Sequence, residues 1–149
     1  MITTKIEGVP ELMRRIKDAV PKIESGVQKE IVRLALKMTG NVMKKLSGDV
    51  LKVRTGRLRR SIHPEWEFRA GYSGAAVGTN VEYAAIHEFG GVITRQSWSN
   101  LSTKRTFHAR SFKMPERSFL RSALNEMKPE ITDGLQKAVE KELKAVTKK

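Results

Sequence analysis

Apolar residues recur every three or four positions in three stretches of the chain, and this spacing predicts amphipathic helices. The strongest repeat runs from Lys22 to Leu46, with apolar positions at Ile23, Val27, Ile31, Leu34, Met38, Val42 and Leu46. A weaker stripe covers residues 9–20, and we expect Pro21 to break or restart the helix because proline has no backbone N–H. The third stripe runs from Phe119 to Val146, with an interruption at Pro129. The pattern therefore predicts a long N-terminal helix and a C-terminal helix.

Alternating apolar and polar positions between these helices predict β-strands. Residues 62–69 and 74–79 form two such segments, and a glycine-rich turn joins them. Trp66 and Phe68 lie on the same face of the first strand, since side chains alternate between faces. We interpret Trp66 as a core residue rather than as a platform on which a base stacks. A weak alternation at residues 2–6 indicates a short edge strand.

A long β-hairpin is predicted over residues 93–113. Its tip, around residues 96–106, is polar, so we expect it to be mobile and to contact a neighbouring subunit or nucleic acid through Trp98. Residues 146–149 are expected to fray, and residues 1–149 are predicted to form a single domain. The predicted fold class is α+β: a small antiparallel β-sheet with a long β-hairpin, packed by the long N-terminal amphipathic helix and the C-terminal helix.

The chain is organised around residues 77–91. Four apolar residues of this stretch recur at helical spacing, namely Val81, Ala84, Ala85 and Phe89. Asn80 is the predicted cap, because its side-chain oxygen can accept an unpaired N–H of the first turn. Gly90 and Gly91 are expected to end the helix, since glycine adopts backbone conformations that other residues resist. Tyr83 and Phe89 add large apolar surfaces, which favours a packing centre here.

The same stretch contains a partial metal-binding pattern. His87-Glu88 matches the start of a zinc-protease helix, which requires a second histidine four residues after the first. Position 91 is glycine, the other histidines are His63 and His108, and the chain has no cysteine. The sequence therefore predicts no metal site and no cofactor. A helix that contributes to the core and to an interface is the better interpretation.

Positive charge is concentrated in two segments of the chain. The net charge is +13, and residues 44–60 and 93–121 contribute +6 each. Such a distribution suits contact with DNA, RNA or an acidic protein surface, although a solvated basic surface that aids solubility has the same composition. No apolar run is long enough to cross a membrane, the N-terminus lacks the pattern of a signal peptide, and the absence of cysteine suits a reducing cytosol.

Three motifs occur in order along the chain, namely Thr55-Gly-Arg-Leu-Arg-Arg-Ser-Ile62, the stretch 77–91 and Met114-Pro-Glu-Arg-Ser-Phe-Leu120. Their order and spacing resemble those of the tail-completion and virion-morphogenesis proteins of long-tailed bacteriophages. The resemblance covers about residues 8–145. The motif positions that carry it are Thr55, Gly56, Leu58, Gly78, Tyr83, Ala84, Glu88, Phe89, Gly90, Pro115, Arg117 and Phe119.

The resemblance implies a structural virion protein at the tail end or head–tail interface, needed for tail completion and head–tail joining. It implies a homo-oligomeric ring, hexameric in this family, that contacts the connector or adaptor and the tail tube. It also implies a location in the virion tail or neck, and in the host cytoplasm during assembly, with no catalytic residue. From their charge and position, the residues expected at partner interfaces are Arg54, Arg57, Arg59, Arg60, Arg95, Trp98, Lys104, Arg105 and Arg110.

Two other classes of function remain as alternatives. A basic DNA-binding module acting in phage assembly or DNA packaging would explain the charge of +13, although no helix–turn–helix, zinc or RNA-recognition signature is present. An enzyme would need paired acids, a nucleophile with a base, or a phosphate loop. Glu65 and Glu67 share a strand face, and we interpret them as solvent-facing partners of arginines. Residues 78–80 form a turn without the lysine of a phosphate loop, so no enzymatic activity is predicted.

Overall fold

The computed structural model describes the backbone of residues 9–49, 55–100 and 105–147. The helices are α1 (Val9–Lys44), α2 (Arg57–Arg60), α3 (Ala84–Phe89) and α4 (Leu120–Thr147). The strands are β1 (His63–Arg69), β2 (Tyr72–Gly78), β3 (Gly91–Arg95), β4 (Trp98–Asn100), β5 (Arg105–Phe107) and β6 (Arg110–Met114). The fold is α+β with long N- and C-terminal helices, which confirms the predicted class. The strand predicted at residues 2–6 lies outside the described residues.

Both long helices continue through a proline, so the predicted interruptions at Pro21 and Pro129 were wrong. A proline inside a helix leaves the carbonyl four residues earlier without its usual N–H partner. For Pro21 that carbonyl belongs to Lys17, and both residues are exposed, so water can donate to it. Gly48, with a φ of 137°, lies in the wide turn that follows α1 and turns the chain out of the helix.

The chain divides into two compact units. The first contains residues 9–38, 64–77 and 126–147 of the described chain, and its core includes Ala19, Ile31, Leu34, Ala35 and Met127. Within this unit, the Nζ atom of Lys37 on α1 donates to both carboxylate oxygens of Glu130 on α4, at 2.6 and 2.7 Å. This ion pair is partly exposed, so its contribution to stability is small, about 0–1 kcal/mol.

Strands β1 and β2 of the first unit pair with each other. Trp66 on β1 is 48% exposed, and Phe68 is also exposed. The interpretation of Trp66 as a core residue was therefore wrong. In a two-stranded sheet one face is buried only if another element covers it, and about half of the Trp66 side chain stays open to solvent.

The second unit contains Thr39–His63 and Gly78–Asn125. Strands β3 and β6 are antiparallel, with Ile93 opposite Phe112, and β4 and β5 continue the same hairpin towards its tip. The long hairpin is thus confirmed, and residues 98–100 and 105–107 are paired strands rather than loop. The buried residues of this unit are Thr39, Val42, Leu46, Leu58, Ile62, Val81, Ala84, Glu88, Phe119 and Ala123. Mobility of the tip stays a prediction.

Candidate functional site

Helix α3 begins three residues later than predicted, at Ala84. The predicted cap, Asn80, was wrong, because a turn separates Asn80 from the helix. Thr79 organises this turn instead. Its hydroxyl oxygen accepts the N–H of Val81 at 3.2 Å and lies 2.6 Å from the hydroxyl of Ser61, directly after α2. The approach to α3 is therefore tied to the end of α2.

Glu88, on α3, is buried and binds the start of α4. Its side chain is 4% exposed, and one carboxylate oxygen accepts the N–H groups of Phe119 and Leu120 at 2.8 and 2.9 Å. The other oxygen accepts the N–H of Arg121 at 2.9 Å and the hydroxyl of Ser118 at 3.3 Å. The first N–H groups of a helix have no partner within the helix, and the positive end of its dipole favours a negative charge. Glu88 thus caps α4 although it lies 31 to 33 residues before the N–H groups that it binds.

The prediction for α3 assigned the wrong residue to its buried face. Phe89 is 67% exposed, and the guanidinium carbon of Arg121 lies 5.7 Å from the centre of its ring. Tyr83 and Ala85 are exposed as well, whereas Val81 and Ala84 are buried as predicted. Glu88, next to Phe89, is the buried residue instead. Apolar periodicity does not predict this, because acidic residues are rarely buried.

Gly90 allows the segment before α4 to pass close to the end of α3. Its φ is 69°, and a Cβ atom there would lie 2.8 Å from the backbone nitrogen of Glu116 and 3.0 Å from the carbonyl oxygen of Met114. Next to this contact, the N–H of Arg117 donates to the carbonyl oxygen of His87 at 2.8 Å. Residues 114–121 are therefore held against α3 by backbone contact and by the Glu88 carboxylate.

Replacing Gly90 by alanine is expected to lower the free energy of unfolding by about 3 kcal/mol. Left-handed backbone costs a residue with a Cβ about 1 kcal/mol, and overpacking against backbone adds about 1–3 kcal/mol. Urea denaturation followed by circular dichroism measures the change. Gly78→Ala is the control, because nothing lies within 4 Å of a Cβ at Gly78. Equal stability of the two variants would contradict the close approach at Gly90.

His87 is a titratable group in the same contact region. Its Nδ1 atom is buried without a hydrogen-bond partner among the described residues, and its ring stands edge-on to Tyr83 with 5.9 Å between centroids. Burial, and secondarily the charge of Arg117, lower the pKa of His87. A proton therefore binds the unfolded chain more readily than the folded one.

We expect the free energy of unfolding to fall as the pH drops below about 6.5, the ordinary pKa of histidine. The contribution of His87 is complete above that pH and is lost as the pH falls through its lowered folded-state pKa. Replacing His87 by phenylalanine should reduce the loss of stability between pH 7.5 and pH 5.5, measured by urea denaturation. His108→Phe, at an exposed position, is the control for the loss of a histidine. Identical pH profiles for wild type and His87→Phe would refute this role.

The short helix α2 presents three arginines to solvent. Arg57, Arg59 and Arg60 are exposed, while Leu58 is buried and anchors the helix. Thr55 is a residue type that favours helix capping, but it accepts the N–H of Arg57 only at 3.4 Å, and Gly56, with a φ of 67°, occupies the capping position itself. In the described part of the chain no acidic residue forms an ion pair with these arginines.

A second pair of candidate arginines meets on the long hairpin. Arg95 on β3 lies directly opposite Arg110 on β6, and both are exposed. Beside them the hydroxyls of Thr94 and Ser111 lie 3.2 Å apart. No described contact joins this pair to the arginines of α2.

The remaining candidate interface residues are Arg54, Trp98, Lys104 and Arg105. Trp98 and Arg105 are placed only by their backbone, opposite Phe107 and Asn100. Arg54 and Lys104 lie outside the described residues. Of the nine candidate interface residues, the structure therefore describes the side chains of five, and all five are exposed: Arg57, Arg59, Arg60, Arg95 and Arg110.

A family model for phage virion morphogenesis proteins matches residues 35–148. The chain belongs to the phage virion morphogenesis family. The match confirms the resemblance seen in the three motifs and covers the whole second unit, whereas residues 8–34 precede it. A comparison with curated proteins found no significant match, and a comparison with solved structures found none either. Membership supports a role in phage assembly and association with the virion.

The motif residues of this phage virion morphogenesis protein take different places in the second unit. Leu58, Ala84, Glu88 and Phe119 are buried, whereas Thr55, Tyr83, Phe89, Pro115 and Arg117 are exposed and Gly56, Gly78 and Gly90 are partly buried. The role of Glu88 escaped the sequence reasoning. The one signal in the sequence was an acidic residue within a short, largely apolar helix, 31 residues before Phe119, where the last apolar stripe begins.

Among residues 9–49, 55–100 and 105–147, no three His, Cys, Asp or Glu side chains are placed to hold a metal ion. None of the helices in that part of the chain has a stretch sufficiently long and apolar to span a membrane.

Proposed function

We propose that this protein forms a homo-oligomeric ring at the tail end or head–tail interface of a long-tailed phage, where it completes the tail and joins it to the head. The observation that carries the proposal is family membership over residues 35–148. The distribution of charge supports it. The second unit has 14 Lys and Arg residues against 4 Asp and Glu residues, a net charge of +10 out of +13.

The construction of the second unit suits a ring protomer. A subunit that binds its neighbours in a ring needs a rigid core and separate, complementary surfaces. Glu88 fixes the start of α4 to α3, Gly90 allows their close approach, and the arginines of α2 remain exposed. Arg57, Arg59, Arg60, Arg105 and Arg110 are the residues we propose to contact an adjacent subunit, the connector or the tail tube. Charge complementarity would guide encounter and specificity at these contacts.

A complementation experiment tests the proposal. Phage lacking this gene would be supplied with wild-type protein or with Arg57→Glu/Arg59→Glu, and joined particles would be counted by electron microscopy. We expect the variant to abolish joining while its thermal unfolding stays that of wild type, since both side chains are exposed. Lys17→Glu/Lys128→Glu makes the same charge change at other exposed positions and should complement fully. Full complementation by the α2 variant would contradict this assignment.

One observation favours contact with DNA as a second candidate function. Like charges directly opposite each other in an antiparallel pair are destabilising, so the Arg95–Arg110 pair favours an anion between or beside the side chains. A two-stranded ribbon also fits the major groove of duplex DNA. If the protein contacts DNA in this way, it should bind duplex DNA with an affinity that falls as salt is added. In Arg95→Ala/Arg110→Ala, the slope of log affinity against log salt concentration should be shallower by the amount that corresponds to about two phosphate contacts. Absence of binding at low salt, or an unchanged salt slope, would exclude it.

A further inference from the structure

The apolar stripe of α1 continues beyond the part of the helix that is buried. Ile31 and Leu34 are 9% and 4% exposed, whereas Met13, Ile16 and Val20 are 54%, 49% and 47% exposed. Residues three and four positions apart lie in line on one side of a helix, so these three side chains form a row on the surface. A contiguous row of exposed apolar side chains is typical of a surface that binds another protein.

The exposed row has the spacing of a coiled coil. Steps of three and four residues alternate along it, which is the heptad pattern of helices that pack against each other along a seam. We call these positions the α1 seam, and they are Met13, Ile16, Val20, Ile23 and Val27. Ile23 and Val27 are half-buried, so the α1 seam runs from open surface towards the core of the first unit.

Helix α4 occupies one side of the α1 seam. Ala19 on that side is buried, and a Cβ atom at Gly26 would lie 2.7 Å from the Cγ atom of Glu142 on α4. Lys17 and Glu24 lie on the other side of the seam, seven residues apart, and both are exposed. Neither forms an ion pair with a described residue. The seam therefore has α4 along one side and one available charge of each sign along the other.

The positions of α4 and of the two charges favour an antiparallel partner with the same sequence. In a parallel pair of helices, the charged side of one helix would lie along the side of the other that α4 occupies. In an antiparallel pair, the two charged sides lie along each other. When Val20 stacks on Ile23 of the second copy, Lys17 lies beside the second copy's Glu24, and the twofold axis repeats this ion pair. Stacking Val20 on Ile16 instead would set the two Lys17 side chains against each other.

We propose that α1 pairs antiparallel with α1 of a second copy through the α1 seam, and that this dimer is a form of the free protein. The contact is isologous, so it closes on two copies and does not build a ring. A ring whose subunits also paired through such twofold axes would have two identical faces, whereas a joint has the head on one side and the tail on the other. The contact itself does not depend on the proposed ring, but its assignment to the free protein does. The family match begins at residue 35, after the seam, in agreement with a contact that joining does not use.

Sedimentation velocity of the full-length protein over a concentration series tests the dimer. We expect the parent to change from monomer to dimer as its concentration rises. Ile16→Gln should raise the dissociation constant at least about tenfold, because it places a polar group in the seam. Leu36→Gln is the matched control, since Leu36 is 53% exposed on the same helix but lies off the seam, and it should dimerise like the parent. A parent without a dimeric species, or equal dissociation constants for the two variants, would overturn the proposal.

Charge reversal tests the orientation of the two helices. Lys17→Glu and Glu24→Lys should each dimerise about tenfold more weakly than the parent, because like charges then face each other twice. An equimolar mixture of the two variants should form a mixed dimer with about the affinity of the parent, since opposite charges face each other again. Thermal unfolding checks that both variants are folded. Failure of the folded mixture to dimerise would overturn the antiparallel pairing.

Complementation tests whether the dimer belongs to the free protein. Ile16→Gln supplied to phage lacking this gene should restore joined particles as fully as wild type does. Loss of joining with Ile16→Gln, while Leu36→Gln restores it, would show that the seam is needed in the particle and would overturn that assignment. The proposed ring would survive this outcome. Normal particles in the absence of the protein would remove the proposed ring but not a dimer measured in solution.

Discussion

Replacing Glu88 by alanine is expected to lower the free energy of unfolding by about 3 kcal/mol, a large fraction of the stability of an ordinary domain. The carboxylate accepts three backbone N–H groups and one hydroxyl at the start of α4. Hydrogen bonds to a charged group contribute about 1.5–3 kcal/mol each, and a buried donor left without a partner adds a desolvation cost. Water that enters the cavity can hydrogen-bond to the freed N–H groups and recover part of this loss. The expected loss of stability is therefore smaller than the sum of the energies of the four hydrogen bonds.

Urea denaturation of Glu88→Ala, Glu88→Gln and Glu82→Ala measures this effect. Glutamine keeps one acceptor oxygen but turns an NH2 group towards backbone donors, so its stability should fall between wild type and Glu88→Ala. Glu82 precedes the same helix and is exposed, so its replacement should change the stability by less than about 0.5 kcal/mol. A loss below about 1 kcal/mol for Glu88→Ala would contradict capping of α4 by this carboxylate.

Replacing Phe119 by alanine is expected to cost about 3–5 kcal/mol, the usual range for a buried phenylalanine. Its side chain is 0% exposed and is the largest fully buried side chain described. Removal of the ring leaves a cavity at the point where α4 begins, beside the N–H groups that Glu88 holds. The neighbouring backbone is fixed by the contact at Gly90, so it cannot collapse readily into that space.

Phe89→Ala is the matched control for Phe119→Ala. Both residues are phenylalanines within the family motifs, but Phe89 is 67% exposed and contacts Arg121 across the face of its ring. Its replacement should cost about 1 kcal/mol or less, the range of an exposed cation–π contact. Chemical denaturation of the two variants under identical conditions makes the comparison. Equal losses would show that the assignment of core and surface around α3 is wrong.

The helices and the exposed arginines were predictable because they depend on local spacing. Leu58 and Ile62 are four residues apart, so burial of both turns the arginines of α2 outwards. The continuation through Pro21 was missed because spacing does not show whether water can reach the carbonyl that proline leaves unpaired. The prediction that the helix starts after Asn80 was wrong for a related reason. The Thr79 hydroxyl binds the N–H of Val81 and favours a turn before α3 instead of helix.

The candidate site depends on contacts that sequence spacing does not contain. Glu88 and Phe119 are 31 residues apart in sequence and meet only in the folded chain, so apolar periodicity assigned burial to Phe89 instead. Arg95 and Arg110 lie opposite each other because of the register in which β3 and β6 pair. A shift of that register by one residue would separate them. Exposure of Trp66 was likewise unpredictable, because a single strand does not show what covers its face.

Electron microscopy of lysates from a phage that lacks this gene tests the proposed ring and its role in head–tail joining most directly. We expect filled heads and tails lying separate, or tails of abnormal length, and joined particles after wild-type protein is supplied. A lysate of normal, joined particles in the absence of the protein would contradict its role in tail completion and head–tail joining.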